Sequence, residues 1–226
     1  MSGGRERLIR LRQALREVVY PEGAICLGCG RRSDGNALCP ECRRELLQED
    51  LLESWESRDL DGVPAWSMRP HRGISRKLIL RLKHGAETRA AGELAAVFRE
   101  RPGIFPELPE NLVVTWVPSP GSRIRERCVD HGRALAEALA REANRPCAQL
   151  LRRRGNDRPQ VRLSREKRER NLKNAFQPVG PIRTPVLLVD DVLTTGTTAR
   201  RCVAALREAG AREILVLTAT HAARQK

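Results

Sequence analysis

The segment 186–198 constrains the fold of this chain more than any other part of its sequence. Its first four residues, Val186 to Val189, are all apolar, and the acidic pair Asp190 and Asp191 follows them. Because side chains alternate between the two faces of a strand, a fully apolar run of this length predicts a strand that is buried on both faces of a sheet. The run Thr-Thr-Gly-Thr-Thr at 194–198 then leads into a predicted helix. The segment therefore predicts a strand, a polar loop and a helix at the ligand-binding edge of an open α/β sheet.

Apolar runs and helical patterns alternate along much of the remaining sequence. Helices are predicted at 5–19, 43–55, 74–83, 87–101, 133–142 and 198–208, and strands at 112–117, 186–189 and 214–218. Apolar strands that alternate with helices predict an α/β fold with a parallel sheet flanked by helices. The polar stretch 58–64 is interpreted as a linker. It divides the chain into an N-terminal module, 1–57, with a helix and a cysteine cluster, and an α/β domain, 65–226.

The loop 194–198 has the composition of a phosphate-binding site. Gly196 allows a tight turn and a close approach of the backbone to a ligand. The threonine hydroxyls and the N–H groups of the first helical turn surround an anion, which the helix dipole also favours. Asp190 and Asp191 accept hydrogen bonds from the two hydroxyls of a ribose, so the spacing fits a ribose 5-phosphate. The alternative is that Asp190 caps the helix and the threonines form an ordinary turn, although a cap needs one acid and no run of five small residues.

Four cysteines near the N-terminus form two matched pairs, Cys26-x2-Cys29 and Cys39-x2-Cys42. Each pair presents two sulfurs to one ion, and four thiolates complete the tetrahedral shell of a structural Zn²⁺. Short zinc ribbons dock nucleic acids or proteins, or serve as structural clips. The alternatives are two disulfides, or reduced thiols without a metal.

The expected compartment of the protein helps to decide between zinc ligation and disulfides. The Arg-rich N-terminus lacks the apolar stretch of a secretory signal, and no apolar run in the sequence approaches the length that spans a membrane. The protein is therefore expected in the cytoplasm, where disulfides are disfavoured.

The formal net charge is +14, and most of the excess lies in two short stretches. Residues 151–173 hold ten basic and three acidic side chains, and residues 69–89 hold seven basic and one acidic. A balance of this kind favours polyanionic partners, such as nucleic acid or phosphorylated metabolites. Arg-rich helices that only keep the protein in solution are the alternative, but the concentration of charge in two stretches favours a functional surface.

The whole of 186–198 resembles the thirteen-residue signature of the type I phosphoribosyltransferases, which reads apolar residues, Asp-Asp, two apolar residues, Thr-Thr-Gly, any residue and Thr. The resemblance implies a type I phosphoribosyltransferase-like sheet and binding of 5-phosphoribosyl 1-pyrophosphate (PRPP) with Mg²⁺. Asp190 and Asp191 would then hold the ribose, as catalytic and ligand-binding residues. The 5′-phosphate would be bound by Thr194, Thr195, Gly196, Thr197 and Thr198.

A second short segment supports the same resemblance. Lys83, His84 and Gly85 follow a basic helix and are similar to the pyrophosphate loop of these enzymes, whose strained backbone exposes N–H groups to the pyrophosphate. On the other interpretation, Gly85 ends the helix as its C-cap and Lys83 is a favourable charge in the last turn. Both interpretations stay open.

The basic stretch 152–176 lies just before the signature, in the place of the flexible hood that closes over the substrate in type I phosphoribosyltransferases. Its composition predicts an exposed loop or helix. The resemblance makes Arg168 and Arg170 candidates for neutralising the departing pyrophosphate, while closure of the hood would exclude water from the reaction. The alternative use of this charge is contact with nucleic-acid phosphates.

Further residues narrow the resemblance from the type I phosphoribosyltransferases in general to one family. These residues are Gln160, Arg170, Asn171, Ala175, Phe176, Val117-Pro118-Ser119-Pro120, Arg125, Arg127, Asp130-His131 and Leu135-Ala136. Together with the cysteines, they resemble the ComF family of competence-associated phosphoribosyltransferase-like proteins over about 26–221. Family members more often have Arg-Gly-aromatic-Asn where this chain has Arg127-Cys128-Val129-Asp130. Asp130 is expected to cap the following helix, and a polar pair between Asp130 and His131 at the site is the alternative.

Three functions are compatible with these patterns. The first is an enzyme that transfers phosphoribose from PRPP to an acceptor with release of pyrophosphate. The second, which the ComF resemblance favours, is a PRPP-binding factor for DNA uptake in natural transformation. It would bind single-stranded DNA through its basic face and zinc module, with a DNA-uptake helicase or other competence proteins as partners. The third is a regulator that senses PRPP, although no helix-turn-helix pattern supports it.

Overall fold

The computed structural model of the chain describes residues 25–48, 55–85, 87–100, 107–121, 124, 129–154 and 175–222. The helices are α1 (Pro40–Gln48), α2 (Gly73–Gly85), α3 (Arg89–Arg99), α4 (His131–Glu142) and α5 (Thr197–Glu208). The strands are β1 (Glu56–Asp59), β2 (Pro64–Pro70), β3 (Val113–Trp116), β4 (Leu151–Arg153), β5 (Phe176–Pro178), β6 (Val186–Leu193) and β7 (Ile214–His221). The helix predicted at 5–19 lies outside the described residues. Within these ranges, no helix combines the length and the apolar character that crossing a bilayer requires.

Five strands form the central sheet, in the order β1-β2-β7-β6-β3. Strands β2, β7, β6 and β3 run parallel to one another, and β1 is added antiparallel to β2 at one edge. The short strands β4 and β5 form a separate antiparallel pair. The predicted α/β class with a mainly parallel sheet is therefore confirmed.

Alternate residues of the central strands face two different cores. Leu187 and Val189 of β6, with Leu217 of β7, belong to a core that α2, α3 and α4 complete. Leu188 of β6 and Val216 of β7 belong to the second core, which includes residues of α5 and of the β4–β5 pair. Because both faces of the sheet are covered, the central strands are apolar at successive positions.

Strand β6 is longer than the apolar run that predicted it. It continues through Asp190 and Asp191, and its last residue, Leu193, pairs with His221 of β7. The two acids therefore lie within the strand rather than after it. The reason is that β7 also continues beyond its predicted end at 218 and keeps pairing with β6.

The stretch 58–64, interpreted above as a linker, is the turn of a β-hairpin. Strands β1 and β2 pair antiparallel, and the loop between them contains Asp61 and Gly62, with φ of 58° and 77°. The N–H of Leu60 donates to the carbonyl of Val63 at 2.8 Å, which closes the turn. The linker interpretation is wrong because Asp-Gly is a preferred pair for two-residue hairpin loops that need positive φ at both positions.

The cysteine module packs against α2 of the larger domain. Cys26 and Cys42 are buried in the same core as Leu78 of α2. The packing is close, because a Cβ added at Gly28 would lie 2.8 Å from Cys42 Sγ and 3.0 Å from Ile74 Cδ1 at the start of α2. The division of the chain at 57 and 65 stays a prediction.

Candidate functional site

Asp191 lies near the carboxyl end of β6, where a lysine and a histidine from two helices contact its carboxylate. Lys83, in the last turn of α2, places Nζ 2.9 Å from Asp191 Oδ2, and His131, the first residue of α4, places Nε2 3.0 Å from the same oxygen. Burial would raise the pKa of Asp191, but the hydrogen bond from His131 and the charge of Lys83 outweigh it, so the pKa lies below its ordinary value. The carboxylate is therefore ionised and fixed in position.

Asp190 precedes Asp191 in the same strand, so its side chain points to the opposite face of the sheet. Its Oδ1 accepts a hydrogen bond from the Asp191 N–H at 2.9 Å. On this face, burial and the Asp190 carboxylate raise the pKa of the Cys202 thiol in α5. Burial, and after it the repulsion from Asp191, raises the pKa of Asp190 itself to about 8. At neutral pH the site thus holds one ionised and one protonated acid.

The loop 194–198 follows β6 directly and leads into α5. Its four threonines are exposed, whereas Gly196 between them is buried. Gly196 has a φ of 77°, in the left-handed region that glycine adopts without strain, and it occupies the N-cap position of α5 with no side-chain cap. The N–H of Thr197 donates to Thr195 Oγ1 at 3.4 Å, and no N-cap side chain satisfies the other N–H groups of the first helical turn. The alternative in which Asp190 caps this helix does not hold, because Gly196 occupies that position.

Two arginines that the sequence analysis did not identify contact the same loop. Arg58 of β1 donates to the Thr194 carbonyl at 2.6 Å, and Arg200 of α5 donates to the Thr195 carbonyl at 2.7 Å. A contact to a backbone carbonyl leaves no residue pattern in the sequence. The Asp-Gly pair at 61–62 was the available signal, because it predicts a hairpin and so places Arg58 in the sheet.

Lys83, His84 and Gly85, the predicted pyrophosphate loop, lie in the last turn of α2. Lys83 contacts Asp191, whereas His84 is exposed and lines a depression beside Cys29 of the cysteine module. The structure thus has a helix end at this point, and Lys83 and His84 belong to different surfaces. Their role towards a pyrophosphate stays a prediction.

Asp130 and His131 have separate partners. Asp130 Oδ1 accepts a hydrogen bond from the Arg133 N–H at 3.4 Å, and Oδ2 accepts one from Trp116 Nε1 at 3.1 Å. Asp130 therefore caps α4, as expected. His131 reaches Asp191 instead, a contact between distant parts of the chain that no local pattern could reveal.

Two further histidines lie at the same edge of the sheet. His71, just after β2, places Nδ1 3.0 Å from Thr220 Oγ1, and that hydroxyl donates to the Asp191 carbonyl at 3.1 Å. His221, at the end of β7, places Nε2 3.4 Å from Glu56 Oε2. Burial lowers the pKa of both histidines. Polar contacts therefore extend across this edge from β1 to β6.

Arg168 and Arg170 lie outside the described residues. Residues 155–174, on which the prediction of an exposed loop or helix mainly falls, lie outside the described residues. At the described ends of the stretch, β4 and β5 pair antiparallel and Arg153 lies opposite Phe176. The Arg153 guanidinium carbon lies 5.3 Å from the centre of the Phe176 ring, a cation–π contact. This contact stabilises the pairing of β4 with β5.

The four cysteines of the N-terminal module converge as predicted. The Sγ atoms of Cys26, Cys29, Cys39 and Cys42 all lie within 4.8 Å of one another. Cys29 Sγ and Cys39 Sγ are 3.8 Å apart, close to the edge of about 3.8 Å expected for a tetrahedron with Zn–S bonds of ~2.3 Å. All four are free thiols, so the two disulfides of the alternative interpretation are not formed. Such a cluster could hold a metal ion.

The surroundings of the cluster lower the pKa of Cys26 and Cys29 and so favour their thiolates, whereas burial raises the pKa of the Cys42 thiol. The backbone N–H and the guanidinium of Arg31 lower the pKa of Cys29 to about 6, and the N–H of Cys39 donates to Cys26 Sγ at 3.2 Å. A thiolate is the form that ligates a metal. The donor set is therefore chemically suited to Zn²⁺.

Comparisons with known proteins give matches to solved structures alone. No family model matches the sequence, and no curated protein matches it. The chain is similar to glutamine PRPP amidotransferase from B. subtilis complexed with ADP and GMP, with 22% identity, a TM-score of 0.39, and coverage of 67% of this chain and 29% of that one. It therefore spans less than a third of the length of that protein.

Two shorter proteins are matched over most of their length. The chain is similar to an adenine phosphoribosyltransferase, with 13% identity, a TM-score of 0.40, and coverage of 80% of this chain and 89% of that one. It is also similar to orotate phosphoribosyltransferase from Mycobacterium tuberculosis H37Rv in complex with Fe(III) dicitrate, with 15% identity, a TM-score of 0.37, and coverage of 80% and 96%. Because the sequence identities and TM-scores are this low, the function has to be argued from the residues of the site.

Proposed function

We propose that this chain is a PRPP-binding protein of the phosphoribosyltransferase type, with its ligand at the carboxyl end of β6. One observation carries the proposal. The acidic pair at 190–191 is followed at once by a loop with four exposed threonines, a glycine in the left-handed conformation and the N-terminus of α5, which lacks a side-chain cap at its N-cap residue. This order of groups supplies acceptors for sugar hydroxyls next to donors for a phosphate.

Each part of the ligand has a matching group. Asp191 accepts a hydrogen bond from a ribose hydroxyl, and the loop 194–198 donates to the 5′-phosphate. The assignment of Asp190, whose side chain points to the other face of the strand, to the second hydroxyl rests on the family resemblance. Lys83 supplies positive charge beside Asp191, on the side where the pyrophosphate would lie. The assignment of His84 and Gly85 to the same group is part of the proposal and rests on the family resemblance.

Mg²⁺ fits the residues at this edge of the sheet. The ion prefers oxygen ligands, and it is usually bound through one or two carboxylates together with the phosphates of a substrate. Asp191 would supply a carboxylate oxygen and is held ionised by its two partners, whereas Asp190, whose pKa is raised to about 8, would have to release its proton to ligate the ion. When bound, the ion would neutralise charge on the pyrophosphate. Zn²⁺, in contrast, would be held by the four cysteines and would stabilise the N-terminal module.

The chemistry that such a site supports is transfer of the phosphoribosyl group. The bond between the anomeric carbon and the pyrophosphate oxygen breaks, positive charge develops on the ribose, and the acceptor forms the new bond. The ionised Asp191 is suited to stabilise charge on the sugar. Arg168 and Arg170 are the proposed partners of the departing pyrophosphate.

Thermal unfolding with and without PRPP and Mg²⁺ tests the proposal. A ligand that binds the folded state alone stabilises it by about 2.7 kcal/mol at a concentration of 100 times Kd, so the unfolding temperature should rise. Asp191→Asn should abolish this rise, whereas Glu208→Gln, an exposed acid at the end of α5, should retain it. Absence of any rise in the native protein, or an equal rise with glucose 6-phosphate, would reject the proposal.

A second function, DNA uptake as in the ComF family, is favoured by the position of exposed positive charge. Arg76, Lys77 and Arg81 are exposed along α2, and Arg152–Arg154 are exposed at the β4–β5 pair. We propose that single-stranded DNA binds these surfaces in the cytoplasm, and that a DNA-uptake helicase or other competence proteins are the partners.

Oligonucleotide binding at several salt concentrations tests this second function. Affinity should fall steeply with salt and should fall further when Arg152, Arg153 and Arg154 are replaced by Ala. Arg212→Ala, at an exposed position before β7, is the matched control. If the triple variant binds as tightly as the control, the β4–β5 pair is not part of a DNA surface.

A further inference from the structure

Two guanidinium groups bind backbone carbonyls of the loop 194–198, which is called the phosphate loop below because of the function proposed for it. Arg58 donates from Nη1 to the Thr194 carbonyl, and Arg200 donates from Nη1 to the Thr195 carbonyl. In a trans peptide the carbonyl and the following N–H point in opposite directions. The N–H groups of Thr195 and Gly196 therefore point away from the two arginines.

The β1–β2 hairpin keeps both arginines in place. Arg58 belongs to β1, and its Nε donates to Glu56 Oε1 at 2.6 Å, with both side chains mostly buried. Arg200 donates from Nε to Asp61 Oδ1 at the hairpin turn, at 3.2 Å. A second residue of α5, Arg207, donates to the Asp61 carbonyl at 3.4 Å. The turn is thus tied to α5 at two points.

The hairpin also contacts the glycine of the loop. Leu60, next to the turn, is 2% exposed, and its Cδ2 would lie 2.7 Å from a Cβ built on Gly196. Leu60 therefore occupies the space that a side chain at position 196 would need. The loop is restrained on this side by an apolar contact in addition to the two arginines.

We propose that the β1–β2 hairpin positions the phosphate loop, with Arg58 and Leu60 of the hairpin and Arg200 of α5 as positioning residues for the 5′-phosphate. The inference rests on the proposed function and adds residues that the signature at 186–198 does not contain. By holding two successive carbonyls, the arginines fix two successive N–H groups towards the opposite side, where an anion binds. Their charge also makes the loop more attractive to an anion.

Titration of the full chain with two probes tests this inference. The first probe is ribose 5-phosphate, which needs the loop. The second is pyrophosphate with Mg²⁺, which lacks the 5′-phosphate. Arg58→Gln should weaken ribose 5-phosphate binding by about tenfold or more, since a hydrogen bond to a charged group is lost, and should leave pyrophosphate binding within about twofold. Arg58→Lys should recover part of the loss, and Arg212→Gln should bind both probes like the native protein.

Arg200→Gln provides a second variant outside the hairpin, should Arg58→Gln fail to fold. It should show the same selective loss. If either folded variant binds ribose 5-phosphate like the native protein, or loses both probes equally, the positioning role is refuted. If the native protein binds PRPP but the variants are unaffected, the proposed function survives alone. If the native protein binds neither PRPP nor ribose 5-phosphate, the proposed function fails and this inference fails with it.

Discussion

Asp190 and Asp191 are neighbours in one strand, yet their surroundings act on them in opposite directions. Asp191 is held by Lys83 and His131, which favour its ionised form. Asp190 faces burial and the negative charge of Asp191, which favour its protonated form. An ionisable side chain whose charged form is disfavoured by its surroundings destabilises the folded protein, and such side chains are found mainly at functional sites. We therefore expect Asp190 to gain its compensating partners when a ligand binds.

This difference predicts a pH dependence of stability. The folded pKa of Asp190, about 8, exceeds the unfolded value of about 3.9, so the folded state binds this proton more tightly. Its contribution to stability is fully present below about pH 4 and is lost as the pH rises towards the folded value. The Asp190→Asn variant cannot ionise at this position, so it does not lose this contribution to stability as the pH rises. Urea unfolding should show the variant gaining stability relative to the native protein between about pH 5 and 8. Parallel pH profiles would show that Asp190 is not protonated in the folded state.

The residues of the site differ in how far sequence could predict them. The acids and threonines of 186–198 could be predicted, because they are contiguous and their chemistry follows from their order. Lys83 was singled out by its resemblance to a pyrophosphate loop, and the structure places it on Asp191. His131 and Arg58 contact the site through the packing of separate elements, which sequence spacing does not encode.

Among the secondary-structure elements, the β1–β2 hairpin shows how composition misleads. Its polar residues predict a linker, yet one of them, Arg58, donates to the carbonyl of Thr194, which lies 136 positions later in the sequence. The apolar strands, in contrast, were predicted because both faces of the sheet are covered and each strand is therefore apolar throughout. Edge strands bury fewer residues, so their pattern is weaker, and turn chemistry is the better signal for them.

The cysteine module is an element whose stability should depend on a metal. Its own sequence has few apolar residues, so binding of Zn²⁺ would contribute directly to its folding. Purified protein should contain about one zinc ion per chain. Cys29→Ser should lower this content and the thermal stability, whereas Cys147→Ser, outside the cluster, should leave the zinc content unchanged. Elemental analysis with a thermal unfolding curve measures both, and a native protein that is folded without metal would contradict the assignment.

On the scale of the whole molecule, the site depends on the assembled fold. Arg58 of β1, Lys83 of α2, His131 of α4 and the β6–α5 segment come together because the parallel order of β2, β7 and β6 brings their carboxyl ends to one edge. The contacts of Arg58 and His131 were missed because they join segments that are distant in the sequence, which only the folded sheet brings together. The wrong linker assignment has a different origin, because the β1–β2 hairpin is a local pairing that the Asp-Gly pair signals.

Calorimetric titration of the full chain with PRPP in the presence of Mg²⁺ is the most direct measurement of ligand binding at this edge of the sheet. We expect saturable heat with one site per chain for the native protein and for Glu208→Gln, and no measurable heat for the double variant Asp190→Asn, Asp191→Asn. If the native protein gives no binding heat, or if the double variant binds PRPP as the native protein does, then the acidic pair and the loop after it are not a PRPP site.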